Sequence, residues 1–153
     1  MNVMPESGLS CRITGVESED IPKVWAKVEG LLSSALEYAH GEYELQDIYV
    51  GLCCQNMQLW IGYRDTEIEG VMVTEIHVHP RKRYLFIVLL AGKSPERWEH
   101  GWPIVEKWAM ELGLDGVRTL GRRGFERHSL SKVTGLKPLH TLYGADFITR
   151  RMQ

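Results

Sequence analysis

One segment near the middle of the chain constrains the fold more than any other. Residues 84–90 form an unbroken apolar run, a loop follows directly, and an amphipathic helix then continues to Gly113. The run has the length of a buried strand. A strand that passes through a short loop into a helix N-terminus can hold a phosphate group, because the first N–H groups of a helix lack intrahelical partners. The residues placed to form such a site are Leu90, Ala91, Gly92, Lys93 and Ser94.

The chemistry of this loop opposes close approach of a pyrophosphate. Pro95 contributes no N–H, and Glu96 and Trp98 are bulky where close backbone approach favours glycine. A carboxylate in the first turn also suits the helix dipole by itself and so competes with a bound phosphate. We therefore expect that any cofactor held through a pyrophosphate binds weakly here.

Length and charge exclude several classes of protein. The 153 residues, 44% of them hydrophobic, fit one domain, with residues 1–10 as a flexible or extended N-terminal arm. The formal net charge of −2 gives no reason to expect a nucleic-acid partner or an anionic membrane. The longest uncharged apolar stretch is too short to cross a bilayer, and residues 1–11 lack the pattern of a signal peptide. We expect a cytoplasmic protein.

Hydrophobic periodicity predicts the element order β-α-α-β-β-β-α-β-α-β. The predicted strand at 117–120 follows the strand at 84–90 across a helix, which favours a parallel, right-handed connection between them. We therefore predict an α/β domain with a mixed, mainly antiparallel sheet and helices on both faces. The other predicted elements are strands at 11–16, 58–64, 68–78 and 139–148, and helices at 21–39, 45–56 and 126–133.

Short motifs recur along the chain in a recognisable order. They include Trp108-Ala109 with Gly113 at the end of the central helix and Gly135-Leu136 near the C-terminus. In this order the chain resembles the GNAT superfamily of N-acetyltransferases. It is more specifically similar to a divergent GNAT-like group common in bacteriophage genomes, through residues 58–61, 73–76, 80–82, 108–109 and 121–127.

The resemblance implies a GNAT-like fold and leaves two functions open. The first is a phage-type binding, assembly or virion-associated component with a degenerate acetyl-CoA loop, whose partner would be a protein, including other phage structural proteins. The second is an active acetyl-CoA-dependent N-acetyltransferase acting on an unknown amine. Either would act in the host cytoplasm or in a virion, and a homo-oligomer is left open.

An N-acetyltransferase needs a group that takes a proton from the amine and an acid that protonates the leaving thiolate. Glu75, on the third predicted strand, is the candidate base, with a solvated or paired surface role as the alternative. Tyr143 is the candidate acid, because a late tyrosine resembles the family's thiol donor. The alternative for Tyr143 is ordinary half-buried packing.

Three arginines, Arg122, Arg123 and Arg127, surround the turn that runs from Gly121 to Gly124. The glycines permit close backbone approach, and a guanidinium offers a planar fork for phosphate or carboxylate. We predict an anion site or a partner site at this turn, and count Arg122 and Arg123 among the cofactor-binding residues. The alternative is that these arginines pair with carboxylates of the same fold.

Two further groups of residues carry weaker signals. Trp98 and Trp102 lie at near-helical spacing with Val105, Ala109 and Leu112, so core packing is the expected explanation, and exposure would instead make the tryptophans anchors for a protein partner.

His77 and His79 project from one face of a strand but have no evident third ligand, and adjacent Cys53 and Cys54 cannot supply spaced thiolates. We predict no metal site.

Overall fold

The computed structural model describes residues 12–39, 41–92, 98–122 and 124–147. Its strands are β1 (Arg12–Val16), β2 (Gln58–Arg64), β3 (Glu67–Val78), β4 (Arg83–Gly92) and β5 (Gly116–Thr119). Its α-helices are α1 (Ile21–Leu36), α2 (Leu45–Cys53), α3 (Trp98–Glu111) and α4 (Ser129–Thr134), and short 3-10 turns occupy Ser18–Asp20 and Phe125–Arg127.

The five strands form one sheet in the order β1-β2-β3-β4-β5. The first three neighbouring pairs are antiparallel, and β4 and β5 are parallel because α3 connects them across one face. The predicted α/β domain with a mixed, mainly antiparallel sheet and helices on both faces is confirmed.

Two separate hydrophobic clusters hold the helices to the sheet. On one face, Val71 and Val73 of β3 and Leu89 of β4 pack with residues of α1 and α2, including Val28 and Leu52. The opposite cluster joins the sheet to α3 and α4. Its buried members are Ile13, Trp60, Met72, Leu85, Ile87, Trp98, Trp102, Val105, Ala109, Leu114 and Leu130. Because side chains alternate along a strand, β2, β3 and β4 each contribute residues to both clusters.

Local sequence signals explain where the helices begin and end. Pro22 lies in the first turn of α1, where its missing N–H has no intrahelical acceptor to lose. At α2, Glu44 and Asp47 form a reciprocal capping box, in which the Glu44 N–H donates to Asp47 Oδ2 at 2.9 Å. Gly113 follows α3 with φ +75°, a conformation that favours glycine.

A β-bulge interrupts β4. Val73 of β3 lies opposite Leu89, whereas the next residue, Thr74, lies opposite Ile87, so Val88 has no partner on β3. Because of this extra residue, Leu85 and Ile87 face the α3 cluster while Leu89 faces the α1 cluster. Odd-numbered residues of β4 therefore face the α3 cluster before Val88 and the α1 cluster after it.

The position of α3 depends on a close contact with β1. A Cβ atom added at Gly101 would lie 2.7 Å from Cβ of Ile13 and closer still to the outer atoms of that side chain. The helix continues through Pro103 two residues later. Glycine at position 101 therefore lets α3 lie directly on the edge of the sheet.

Several expectations need correction. Trp98 and Trp102 are only 4% and 3% exposed and belong to the core, so core packing is confirmed and the reading as partner-binding anchors is wrong. Leu112 is exposed instead, because α3 ends before it.

The predicted last strand does not form over residues 139–146. The segment contains several apolar residues, but Leu139 and Leu142 are exposed, so no buried face fixes a pairing register.

Some expectations fall outside the described residues. These are the N-terminal arm, the loop at 93–97 that includes Lys93 and Ser94, and Arg123. Within the described ranges, no helix has both the length and the apolar character that crossing a membrane requires.

Candidate active site

A gap opens between β4 and β5 next to the bulge. The two strands pair only from Tyr84 opposite Gly116 to Ile87 opposite Thr119, although β4 continues to Gly92. The hydroxyl of Thr119 donates to the carbonyl oxygen of Ile87 at 2.9 Å, where the pairing ends. Beyond Ile87, none of the described strands pairs with this edge of β4. Backbone groups on this edge therefore face the gap rather than a neighbouring strand.

Three of the predicted cofactor-binding residues lie along the gap. Leu90 and Ala91 are partly exposed near the end of β4, and Gly92 is exposed as its last residue. A Cβ atom at Gly92 would lie 2.8 Å from the carbonyl oxygen of Glu69, so glycine is needed there to let β4 pack on β3. The role of these three residues toward a cofactor stays a prediction.

Glu75 forms a pair with His77 on β3. Its Oε1 lies 2.7 Å from Nε2 of His77, and the two side chains are 22% and 39% exposed. The imidazole also stacks on the ring of Phe86, with centroids 4.3 Å apart and planes 10° apart. When the carboxylate accepts from Nε2–H, the opposite nitrogen of the imidazole is left to exchange a proton. The pair is held in one orientation and reaches solvent, which suits a proton acceptor.

Tyr43 approaches this pair from the segment between α1 and α2. Burial raises the pKa of Tyr43, and the negative charge of Glu75 raises that pKa further, with a smaller contribution from Glu42. The hydroxyl of Tyr43 therefore stays protonated near Glu75 and can donate a hydrogen bond to a ligand there.

Of the predicted arginines, Arg122 has an aromatic contact and Arg127 is exposed. The guanidinium of Arg122 lies 3.9 Å from the ring centre of Tyr38, which follows α1. Within the described part of the chain, neither forms a salt bridge with a carboxylate. The alternative that internal carboxylates occupy them is thus not seen for Arg122 and Arg127, and the anion or partner site stays a prediction.

The turn between Gly121 and Gly124 should depend on both glycines. Gly124 has φ +92°, and a Cβ at Gly121 would lie 2.7 Å from Cγ of Phe125. We expect alanine at either position to lower the free energy of unfolding by about 1 kcal/mol or more, measured by urea denaturation. Gly144→Ala is the matched control, because an added Cβ there meets nothing within 4 Å. Stability equal to the wild type in both turn variants would contradict the expectation.

Two sequence-predicted features are not brought into an enclosed site. Tyr143 is 89% exposed in a segment without a strand, so nothing in its surroundings adds to its candidacy as an acid. His79 contacts the ring of Tyr84 edge-on, with 5.7 Å between the ring centroids. Within the described ranges, no group of three or more His, Cys, Asp or Glu side chains is placed to hold a metal.

Several residues around the Glu75–His77 pair were not predicted from the sequence. Phe86 and Arg118 lie on the same face as Glu75, because Glu75 is opposite Phe86 and Phe86 is opposite Arg118. That placement could have been inferred from the alternation along β5, where the apolar Val117 packs on the other face. Tyr43 lies in a connecting segment and carries no periodic signal.

Comparisons with known proteins identify the architecture. No protein-family model matches the sequence, and no curated protein matches it. Among solved structures, the chain is similar to the aminoglycoside acetyltransferase meta-AAC0020 from an uncultured soil metagenomic sample, in complex with sisomicin. The identity is 14% and the TM-score 0.62, over 89% of this chain and 97% of that one.

Two further structures agree. A ribosomal-protein-alanine N-acetyltransferase from Brucella melitensis biovar Abortus 2308 is 13% identical, with a TM-score of 0.63 over 90% of this chain and 99% of that one. A predicted acetyltransferase with acetyl-CoA from Clostridium acetobutylicum is 10% identical, with a TM-score of 0.62 over 91% and 97%. At these identities the likeness concerns the fold alone, and the chain has the GNAT fold of the N-acetyltransferases.

Proposed function

We propose that the protein is an acetyl-CoA-dependent N-acetyltransferase that acts on an amine. The observation that carries this proposal is the position of the Glu75–His77 pair, one strand away from the gap that opens between β4 and β5. A proton acceptor beside an opening with free backbone donors is an arrangement that acyl transfer to an amine needs.

The described residues account for the handling of the proton. An alkyl amine is protonated near neutral pH and must lose a proton before it can attack a carbonyl carbon. Glu75 and His77 receive that proton, and the stacking of His77 on Phe86 keeps the acceptor oriented. Tyr43 supplies a neighbouring neutral hydroxyl whose oxygen can accept a hydrogen bond from the amine N–H and hold the amine in place.

The backbone of β4 suits the cofactor. Beyond Ile87 the strand edge has no strand neighbour among the described residues, which leaves peptide groups of residues 88–92 able to bind the polar, extended arm of acetyl-CoA. Bound acetyl-CoA would supply the acetyl group as a thioester. Of the residues that oppose a pyrophosphate, Pro95 and Glu96 lie at 93–97, outside the described ranges, and Trp98 is buried in the core. These residues bear on the affinity for acetyl-CoA and not on the proton acceptor.

The alternative function, a phage assembly or virion-associated component, rests on the narrower resemblance of the sequence. None of the structural similarities described above concerns an assembly protein, and the burial of Trp98 and Trp102 removes one surface on which it depended. A weakly binding acetyltransferase is consistent with both the fold and the loop. Association with a particle and the identity of any partner stay predictions.

Calorimetric titration with acetyl-CoA, followed by an acetyl-transfer assay on a panel of amines, tests the proposal. We expect binding in the range of about 10 μM to 1 mM, weaker than a well-formed pyrophosphate loop gives, together with transfer that consumes acetyl-CoA only when an amine is present. Absence of both binding and transfer at millimolar acetyl-CoA would reject the enzyme and favour the binding component.

A further inference from the structure

Six residues of three adjacent strands form a flat patch, which we call the sheet patch, on the face that carries α1 and α2. One row runs Glu75, Phe86, Arg118, and the next row runs His77, Tyr84, Gly116, in each case from β3 through β4 to β5. Directly opposite residues point to the same face of a sheet. The rows are confirmed by ring contacts, since His77 stacks on Phe86 and Arg118 lies over Tyr84.

The sheet patch has opposite charges at its two ends. Glu75 lies on β3 and Arg118 on β5, and the rings of Phe86 and Tyr84 form the floor between them. At the position beside Tyr84, β5 has Gly116, which is exposed and adds no side chain above the floor. All five side chains are partly exposed, so a ligand can lie across the strands.

Arg118 is held in place without being neutralised. Its guanidinium carbon lies 3.8 Å from the centre of the Tyr84 ring, a cation–π contact that restrains the side chain. Within the described ranges it takes part in no salt bridge. Arg83 differs, because its guanidinium donates to the carbonyl oxygen of Leu112 at 2.7 Å. Arg118 therefore presents a fixed, positively charged fork toward the sheet patch.

We propose that the sheet patch selects amines that also carry a carboxylate, with the amine at Glu75 and His77 and the carboxylate at Arg118. The assignment of the amine end rests on the proposed function. Two strand spacings separate the Cα atoms of Glu75 and Arg118 by about 10 Å, and the Arg118 guanidinium reaches back over Tyr84 on β4, so the ligand's two charges must be several bonds apart but within that span. A linear ω-amino acid, or a peptide amino terminus followed by an acidic side chain, meets this requirement. The apolar linker crosses β4 between the His77 imidazole, which stacks on Phe86, and the Arg118 guanidinium, which lies over Tyr84.

A matched pair of ligands tests the carboxylate end directly. The probes are 6-aminohexanoate and 1-aminohexane, which share the amine and the linker and differ in the carboxylate. Dissociation constants are measured by NMR titration of the full chain. We expect 6-aminohexanoate to bind the wild type about tenfold more tightly, the usual contribution of one charge-assisted hydrogen-bonded pair.

Variants locate the preference. Arg118→Gln should bring the ratio of the two constants to about one, and Arg118→Lys, which keeps the charge but loses the planar fork, should leave about threefold. Arg64→Gln is the control, because Arg64 lies at the opposite end of the sheet, next to the turn into β3. Its ratio should equal that of the wild type. If the melting curve shows that Arg118→Gln does not fold, Arg118→Lys serves as the test, and a fall in its ratio of dissociation constants supports the carboxylate site.

The outcomes separate the inference from the proposed function. A wild-type ratio near one, or a full ratio retained in Arg118→Gln or Arg118→Lys, would overturn the carboxylate site. A preference that depends on Arg118 supports the site, and if acetyl transfer to 6-aminohexanoate is then absent at millimolar acetyl-CoA, the enzymatic proposal fails while the binding site stands.

Discussion

The Glu75→Gln variant is expected to keep its fold and to lose about 100-fold of kcat/KM for acetyl transfer, the typical contribution of a positioned proton acceptor. Glutamine is nearly isosteric and its amide oxygen can still accept from Nε2 of His77, which lies 2.7 Å from the carboxylate in the wild type. The variant therefore removes the charge and the basicity while leaving the contact in place. The measurement is a steady-state assay with saturating acetyl-CoA and varied amine.

Glu29→Gln is the matched control, because Glu29 is exposed on α1. It should retain wild-type kcat/KM. Both variants should melt within a few degrees of the wild type, because Glu29 is exposed and glutamine at position 75 keeps the size of the side chain and its contact with His77. An active Glu75→Gln variant would show that the proton leaves the amine by another route, and the role assigned to the Glu75–His77 pair would be wrong.

The Gly101→Ala variant is expected to lower the free energy of unfolding by about 2 kcal/mol. Alanine favours a helix interior by about 1 kcal/mol over glycine, but the added methyl group would overlap the side chain of Ile13, which is buried in β1. Overpacking of a filled core costs about 1–3 kcal/mol and more where backbone must move, so the steric term exceeds the gain in propensity. Urea denaturation monitored by tryptophan fluorescence measures the change.

Gly30→Ala is expected to raise the free energy of unfolding instead. Gly30 lies within α1, and an added Cβ would meet nothing within 4 Å, so this variant should gain about 0.5–1 kcal/mol. The double variant Ile13→Ala with Gly101→Ala should be more stable than the sum of the single changes by about 1 kcal/mol or more, because the overlapping atoms are gone. Additive behaviour would mean that α3 relaxes away from β1 at little cost.

The order of elements could be predicted from sequence because each has a strong local signal. Apolar residues at helical spacing predicted α1 and α2, alternation predicted β2 and β3, and the connection through α3 predicted the parallel β4–β5 pair. These signals report which face of an element is buried, and the two-layered core follows from them.

The bulge could not be predicted in the same way. Residues 84–90 are apolar at every position, so no polar residue marks the change of phase at Val88. The strand predicted at 139–148 failed for a different reason, since its apolar residues have no partner strand that gives them a register over residues 139–146. Periodicity describes one element by itself, whereas a bulge or a pairing register is a property of two adjacent strands.

The candidate site was predicted only in part for a related reason. Glu75 was predicted as the base on the third strand, whereas His77 was considered only together with His79, as a possible metal-binding pair. Arg118 was not predicted as a site residue, because Arg122 and its neighbours formed a more obvious cluster in sequence. Its relevance depends on cross-strand neighbours 32 to 43 positions away, which only the register of three strands brings together.

The division of the core by the sheet has a consequence for how this protein can diversify. The sheet patch and Tyr43 belong to the layer of α1 and α2, whereas α3 and α4 are held by the opposite cluster. Substitutions in the α1–α2 layer can reshape the sheet patch while the second layer continues to support the fold. A chain with this architecture can therefore change the sheet patch by drift on one side of its sheet, with the stability that tolerates such drift coming from the other side.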